Sequence, residues 1–323
     1  MTYAQLRRTL RASLSDAAQR LGLPIDFVYE ADEILRLVAH MDRTAVLLRS
    51  AEEADSAVVS RCITAVSGRS EGIPLGYLLG LSPFCGEDYY VSPGCLIPRA
   101  DTEVLVEEAS ARLPENGILW DLCTGSGCLP IAVLLQRKDP VRAWGIELYP
   151  AALNAAQKNK KRFSDRIGER LTITRGDVLR GDVPYSDTHG VGSNPGDSGD
   201  PFARPHIITA NPPYISTDTV DTLDTEVQME PRTALDGGKD GLDYYRAILS
   251  KYLDKLAPGG CIIFEIGYDQ KRAIRTLAAA FDCSCIIRRD YAGNDRVAVL
   301  CPHKDMHLPK EEDNPLSPPD GIK

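Results

Sequence analysis

The sequence predicts an α/β protein: a doubly wound, mostly parallel sheet of seven strands preceded by a small helical domain. Three observations predict it. From Gly117 onward, short apolar runs alternate with helical stretches, the pattern of a parallel sheet covered on both faces. Residues 1 to about 70 instead carry apolar residues three and four apart, with few strand signals. Between the first two runs lies a Gly-bearing turn, "DLCTGSGC", of the kind that joins a strand to a helix.

The helical segments come first. "MTYAQLRRTLRASLSDAAQR" is Arg-rich and acid-poor, as an organelle transit peptide would be. Leu6, Leu10, Leu14 and Leu21 fall near one helical face, however, which fits an amphipathic helix of the fold better. "DEILRLVAHM" and "SAVVSRCITAV" continue the pattern and complete an N-terminal domain over residues 1–71. Residues 72–98 are rich in Gly, Pro and aromatics and read as a linker with a β-hairpin around "CGEDYYVSPG". Asp101 or Thr102 is the expected cap of a helix over "EVLVEEASARL".

The sheet domain is expected over 99–302. Its strands are "GILWDL", "VRAWGIEL", "LTITRGD", "HIITANP" and "CIIFEIG", interleaved with helices at 127–137, 151–162, 241–256 and 269–281. "CSCIIRRDY" and "RVAVLCP" follow one another with no helix between, which predicts an antiparallel pair. Residues 180–205 are dense in Gly, Pro, Ser and Asp and read as a mobile insertion, and 303–323 as a disordered tail.

Composition excludes several classes. No run approaches the roughly 18–20 apolar residues of a membrane span. The net charge of −9 argues against a tight, sequence-independent grip on nucleic acid, which needs clustered Lys and Arg. Nine cysteines, mostly in apolar segments and without zinc spacing, read as reduced thiols of a cytoplasmic protein with no metal site. A monomer is expected.

The Gly-bearing turn carries the first chemistry. Gly125 and Gly127 allow close backbone approach to a ligand, and the helix that follows offers free N–H groups. Pro130 suits the first turn of that helix. Glu147 follows Gly125 by 22 positions at the end of the next strand, where an acid accepts hydrogen bonds from a ribose diol. A plain tight turn is the alternative. A dinucleotide would prefer a third Gly where Pro130 stands, whereas S-adenosylmethionine has no phosphate to cradle. Asp177, ending "TITRGD", is either an acceptor for an adenine amino group or an ordinary strand-end Asp.

"IITANPPYIS" carries the second. Pro212 and Pro213 lack backbone N–H groups and must stop the strand, and Asn211 is pushed towards an extended conformation. A planar NH2 has two donors, and this corner has two acceptors for them: the Asn211 side-chain oxygen and the Pro212 carbonyl. Tyr214 would pack on the amide face. The corner could also be no more than a strand terminator.

Taken together, "GIPLGYLLG", "VSPGCLIPRADTEVLVEEA", "DLCTGSGC", "NPPYI", "EPRTALDGGKDGL" and "RDYAGNDRV" occur in an order that resembles the release factor glutamine methyltransferase family (HemK/PrmC-like), over residues 30 to about 300. The resemblance implies a Rossmann-like methyltransferase sheet. It implies S-adenosyl-L-methionine held by Cys123, Thr124, Gly125, Ser126, Gly127, Glu147, Asp177, Val178 and Asn211, and substrate glutamine held by Asn211, Pro212, Pro213, Tyr214 and Arg99. The implied substrate is the Gly-Gly-Gln motif of a peptide chain release factor, recognised in part by the helical domain. Cys123 departs from the family's Gly and is expected to fit with negative φ. Arg99 either contacts substrate or pairs with Glu230. A ribosomal protein glutamine methyltransferase and a nucleic acid adenine or guanine methyltransferase are the alternatives, since both share "NPPY". A non-catalytic dinucleotide-binding module would leave the corner without a purpose.

Overall fold

The computed structural model describes residues 1–22, 25–183 and 204–303. The 180–205 insertion is described only at its two ends, and the expected tail lies outside the described residues apart from His303. Among the described residues, no helix is long and apolar enough to cross a membrane.

The N-terminal helices are α1 (Tyr3–Leu21), α2 (Phe27–Val38), α3 (Arg43–Leu48), α4 (Ser56–Arg69) and α5 (Leu75–Leu79). Thr2 and Gln5 form a capping box on α1, and Asp26, Asp42 and Asp55 cap the next three helices. Leu6, Leu10 and Leu14 are fully buried against α2 and α4 residues such as Ile34, Leu35 and Cys62. Each contributes roughly 1.5–3 kcal/mol of burial, so this segment is part of the fold. The side chain of Leu21 lies outside the described set. Arg69 joins this layer to the rest: it is buried and pairs with Glu30 at 2.8 Å and with Glu226 at 2.9 Å.

A hairpin of β1 (Leu81–Phe84) and β2 (Glu87–Tyr90) follows, then α6 (Glu103–Arg112). The sheet domain continues as β3 (Ile118–Leu122), α7 (Cys128–Gln136), β4 (Arg142–Glu147), α8 (Pro150–Arg162), α9 (Ser164–Ile167) and β5 (Leu171–Arg175). Beyond the insertion come β6 (Ile207–Ala210), α10 (Thr217–Val220), α11 (Thr225–Gln228), α12 (Asp243–Tyr252), β7 (Cys261–Glu265), α13 (Lys271–Ala280), β8 (Cys283–Arg289) and β9 (Asp295–Pro302).

The seven strands from β3 onward run in the order β5-β4-β3-β6-β7-β9-β8, with β9 antiparallel to both neighbours. Strand side chains alternate between two cores. Leu119, Ala143, Ile207 and Ile263 face α6 and α7, while Ile118, Trp120, Ile208 and Phe264 face α12 and α13. The order reverses between β3 and β6, so their carboxyl ends form the crevice that open α/β sheets use for ligands.

Thr102 is the N-cap residue of α6, as expected, but its side chain makes no cap bond and its hydroxyl donates to Glu265 instead. One expectation fails. Cys261 and Cys301 are joined by a disulfide, not reduced. They flank the Ile262–Leu300 pair on neighbouring antiparallel strands, with Cα atoms 4.5 Å apart. That is the close, non-hydrogen-bonded kind of pair, which brings two Cβ atoms within bonding reach.

Candidate active site

The turn after β3 is built from backbone bonds that the sequence allows. Thr124 N–H donates to the Ile146 carbonyl at 2.9 Å, and Gly127 N–H donates back to the Thr124 carbonyl at 2.8 Å. Gly125 has φ +56, and a Cβ there would meet nothing within 4 Å, so its face is open to a ligand. Gly127 ends the turn as the N-cap of α7, and the Ser126 carbonyl accepts from Asn159. Cys123 has φ +61, against the expectation of a negative angle. The chain keeps the left-handed turn that a glycine would adopt freely, at a strain cost of about 1–3 kcal/mol.

Glu147 closes this loop. Its carboxylate accepts from Gly125 N–H at 2.9 Å and Tyr149 N–H at 2.8 Å. Each oxygen keeps lone-pair capacity for a further donor. Burial pushes this carboxyl above its ordinary range, and the N–H donors pull the other way. Asp177 accepts from Leu179 N–H and pairs with Arg180. With Gly176 and Val178 it lines the same cavity as Glu147.

The corner follows β6. Pro212 and Pro213 are buried, and Ile215 exchanges hydrogen bonds with the Leu235 carbonyl and Gly237 N–H. The "DGGKDG" segment therefore lies directly against the corner. Gly241, at φ +71, sits where a Cβ would fall 2.3 Å from the Tyr214 carbonyl oxygen, so only glycine allows this approach. Gln270 ties the two together by donating to the carbonyls of Tyr214 (3.0 Å) and Gly241 (3.3 Å). The motif named in the sequence without a role is thus the support of the corner.

A polar row caps the α6–α7 face at the carboxyl end of the sheet. Asp121 on β3 accepts from the hydroxyls of Thr124 and Thr209. Glu265 on β7 accepts from Thr102 at 2.6 Å and from Tyr214 at 3.4 Å. Asn211 follows β6, the strand between β3 and β7, and its Nδ2 donates to the Thr102 hydroxyl oxygen at 3.3 Å. Burial pushes both Asp121 and Glu265 up to about 7. Around Glu265, the Thr102 hydroxyl, Arg296 and the Tyr214 hydroxyl oppose that shift, while Asp101 adds to it. Tyr245 donates to the Glu265 backbone carbonyl.

A carboxyl raised on folding stabilises the protein fully below its unfolded value, 4.5 for Glu265, and loses that contribution as pH rises through about 7. Glu265→Gln is neutral at every pH. The stability of the wild type relative to Glu265→Gln is therefore expected to increase as pH falls from about 8 to about 5, by up to about 1.4 kcal/mol per pH unit. Thermal unfolding at both ends of that range checks it, and a difference that is flat or grows with rising pH contradicts it.

Two cavities share Leu96, Cys123, Gly125 and Asn211 in their walls. The larger, with about 630 Å³ of space including its open mouth, is lined by Cys123, Gly125, Glu147, Asp177, Val178, Asn211 and Pro213, among others. Leu96, Ile146 and Tyr244 supply apolar wall there. The smaller, about 420 Å³, is lined by Thr102, Asp121, Thr124, Ser126 and Asn211, with Arg99 at its edge. Gly127, Pro212 and Tyr214 line neither. The Tyr214 ring packs against the α12–α13 core and turns its hydroxyl to Glu265. Arg99 is paired with the buried Glu230, which also accepts from Ile97 N–H at 3.1 Å. Glu265, Thr102 and Tyr244 are site residues that sequence reasoning missed. Glu265 had one signal, an acid at the end of the apolar run "CIIFEIG".

The PrmC N-terminal domain family matches residues 7–80. The release factor glutamine methyltransferase of Moorella thermoacetica is 36% identical over 295 residues, covering 89% of this chain and 96% of that protein. That of Geobacter sulfurreducens is 34% identical over 270 residues, covering 83% and 87%. Among solved structures, the hMettl16 catalytic domain in complex with the MAT2A 3'UTR hairpin 1 aligns with a TM-score of 0.53 at 14% identity, over 91% of this chain and 96% of that one. That likeness concerns the fold. The identity and coverage of the curated relatives place this chain in the release factor glutamine methyltransferase family.

Proposed function

We propose that the protein transfers a methyl group from S-adenosyl-L-methionine to the side-chain amide nitrogen of the glutamine in the Gly-Gly-Gln motif of a peptide chain release factor. One observation carries the reading: Asn211 lines both cavities, where the carboxyl ends of β3 and β6 meet. The larger cavity suits the cofactor on its own chemistry, with an open face at Gly125, an apolar wall and two acids.

Glu147 would accept from the ribose diol with the lone pairs its backbone partners leave free. Asp177 and Val178 would hold the adenine, and the turn from Cys123 to Gly127 would bring backbone close to the ligand. When bound, the cofactor supplies an electrophilic methyl on a sulfonium. An amide nitrogen is a poor nucleophile, because its lone pair is shared with the carbonyl. Asn211 Oδ1 and the Pro212 carbonyl would accept its two hydrogens, aiming the nitrogen and favouring a localised lone pair. Positioning of this kind replaces about 7–11 kcal/mol of barrier in well-oriented systems. No strong base is needed, since the N-methylated cation is very acidic. Pro213 and Tyr214 stiffen the corner, and Arg99 acts through Glu230 on the segment that follows it. The helical domain would recognise the release factor, and the enzyme would act as a cytoplasmic monomer.

The test is to incubate the protein with labelled S-adenosyl-L-methionine and a mixture of release factor, ribosomes and DNA. Label on the release factor is expected. Label confined to nucleic acid or to ribosomal protein contradicts the reading.

A further inference from the structure

We propose that Thr102 and Glu265 are positioning residues that fix which end of the Asn211 amide faces the substrate. The inference rests on the acceptor role given to Asn211 above, and goes beyond it to what enforces that role.

An ionised carboxylate only accepts hydrogen bonds. Glu265 takes the Thr102 hydroxyl on Oε2 at 2.6 Å and the Tyr214 hydroxyl on Oε1 at 3.4 Å. A threonine hydroxyl has one proton, and this one is committed to Glu265. Towards Asn211 the Thr102 oxygen can therefore only accept, and what it meets at 3.3 Å is Nδ2. With the NH2 end held there, Oδ1 is the end turned away from Thr102. A freely rotating amide would present NH2 and oxygen to a substrate about equally, and NH2 facing a substrate NH2 would repel it. The acid at the end of the relay removes that choice.

The placement supports this. Thr102 is 3% exposed and Glu265 2% exposed, so the relay is shielded from bulk water. Thr102 precedes α6, Glu265 ends β7 and Asn211 follows β6. Three elements thus converge on one amide. Thr102 stands at the N-cap of α6, yet its hydroxyl makes no cap bond there.

The experiment compares wild type, Thr102→Val, Thr102→Ser and Asn211→Ala in steady-state transfer to a purified release factor, at about pH 8, above the value of about 7 to which burial pushes Glu265. Thr102→Val keeps the shape and loses the hydroxyl. Its kcat is expected to fall about tenfold or more, while KM for the release factor and affinity for S-adenosyl-L-methionine stay within about threefold. Thr102→Ser returns the hydroxyl and is expected to recover most of the lost kcat, which a purely steric role would not explain. Glu265→Gln provides a second reading should Thr102→Val not fold. Its amide can donate to Thr102 and reverse the relay, so kcat is expected to fall with KM little changed. Wild-type kcat in Thr102→Val or in Glu265→Gln, or equal losses in Thr102→Val and Thr102→Ser, overturns the relay alone. Full turnover by Asn211→Ala, or no transfer to the release factor by the wild type, overturns the acceptor role and the relay with it.

Discussion

Asn211→Ala is expected to lower kcat for transfer to the release factor by about a hundredfold or more, the cost of removing one preorganised hydrogen-bonding group at a reacting centre. The residue supplies one of the two proposed acceptors for the glutamine NH2, and the other is main chain and remains. With a single acceptor the amide can turn about that bond, and its nitrogen is no longer aimed. Affinity for S-adenosyl-L-methionine is expected to stay within about threefold of wild type, because most of the cofactor wall comes from other residues. Single-turnover transfer and direct cofactor titration separate the two effects. Full turnover by the variant would contradict the role given to Asn211.

Gly241→Ala is expected to have the largest effect on stability. At φ +71 a side chain is strained by roughly 1–3 kcal/mol. The new Cβ would also lie 2.3 Å from the Tyr214 carbonyl oxygen and 2.9 Å from Gln270 Nε2, and overpacking of this sort costs about a further 1–3 kcal/mol. The backbone atom cannot rotate away, so the corner itself must shift, and transfer is expected to fall along with stability. Gly259→Ala is the control, with φ +75 and nothing within 4 Å of the new Cβ. It is expected to show only the conformational part of the loss. Denaturant unfolding measures both variants, and equal losses would show that contact with the corner does not matter.

The fold was legible because its signals are local. The central strands β3, β6 and β7 are short apolar runs, and Pro212 and Pro213 end β6 by simple chemistry. The Gly125–Glu147 spacing likewise survives translation into space, with the acid hydrogen-bonded to the glycine N–H. What stayed hidden depends on contacts between distant segments. Thr102 and Glu265 are 163 residues apart, and Thr102 reads locally as a helix cap. The Cys261–Cys301 bond follows from β9 inserting between β7 and β8, an order that chain sequence does not suggest. The positive φ of Cys123 is set by the turn it belongs to, and the residue type argues against it.

The central claim is that the corner presents two acceptors to a planar primary amide, and that this amide belongs to glutamine. The most direct measurement incubates the protein with S-adenosyl-L-methionine and intact release factor, then maps the modification by fragmentation mass spectrometry. A single added methyl is expected on the side-chain nitrogen of the Gly-Gly-Gln glutamine, lost in Asn211→Ala. A methyl group on another side chain of the release factor, or on an adenine or guanine amino group with that glutamine unmodified, would contradict it.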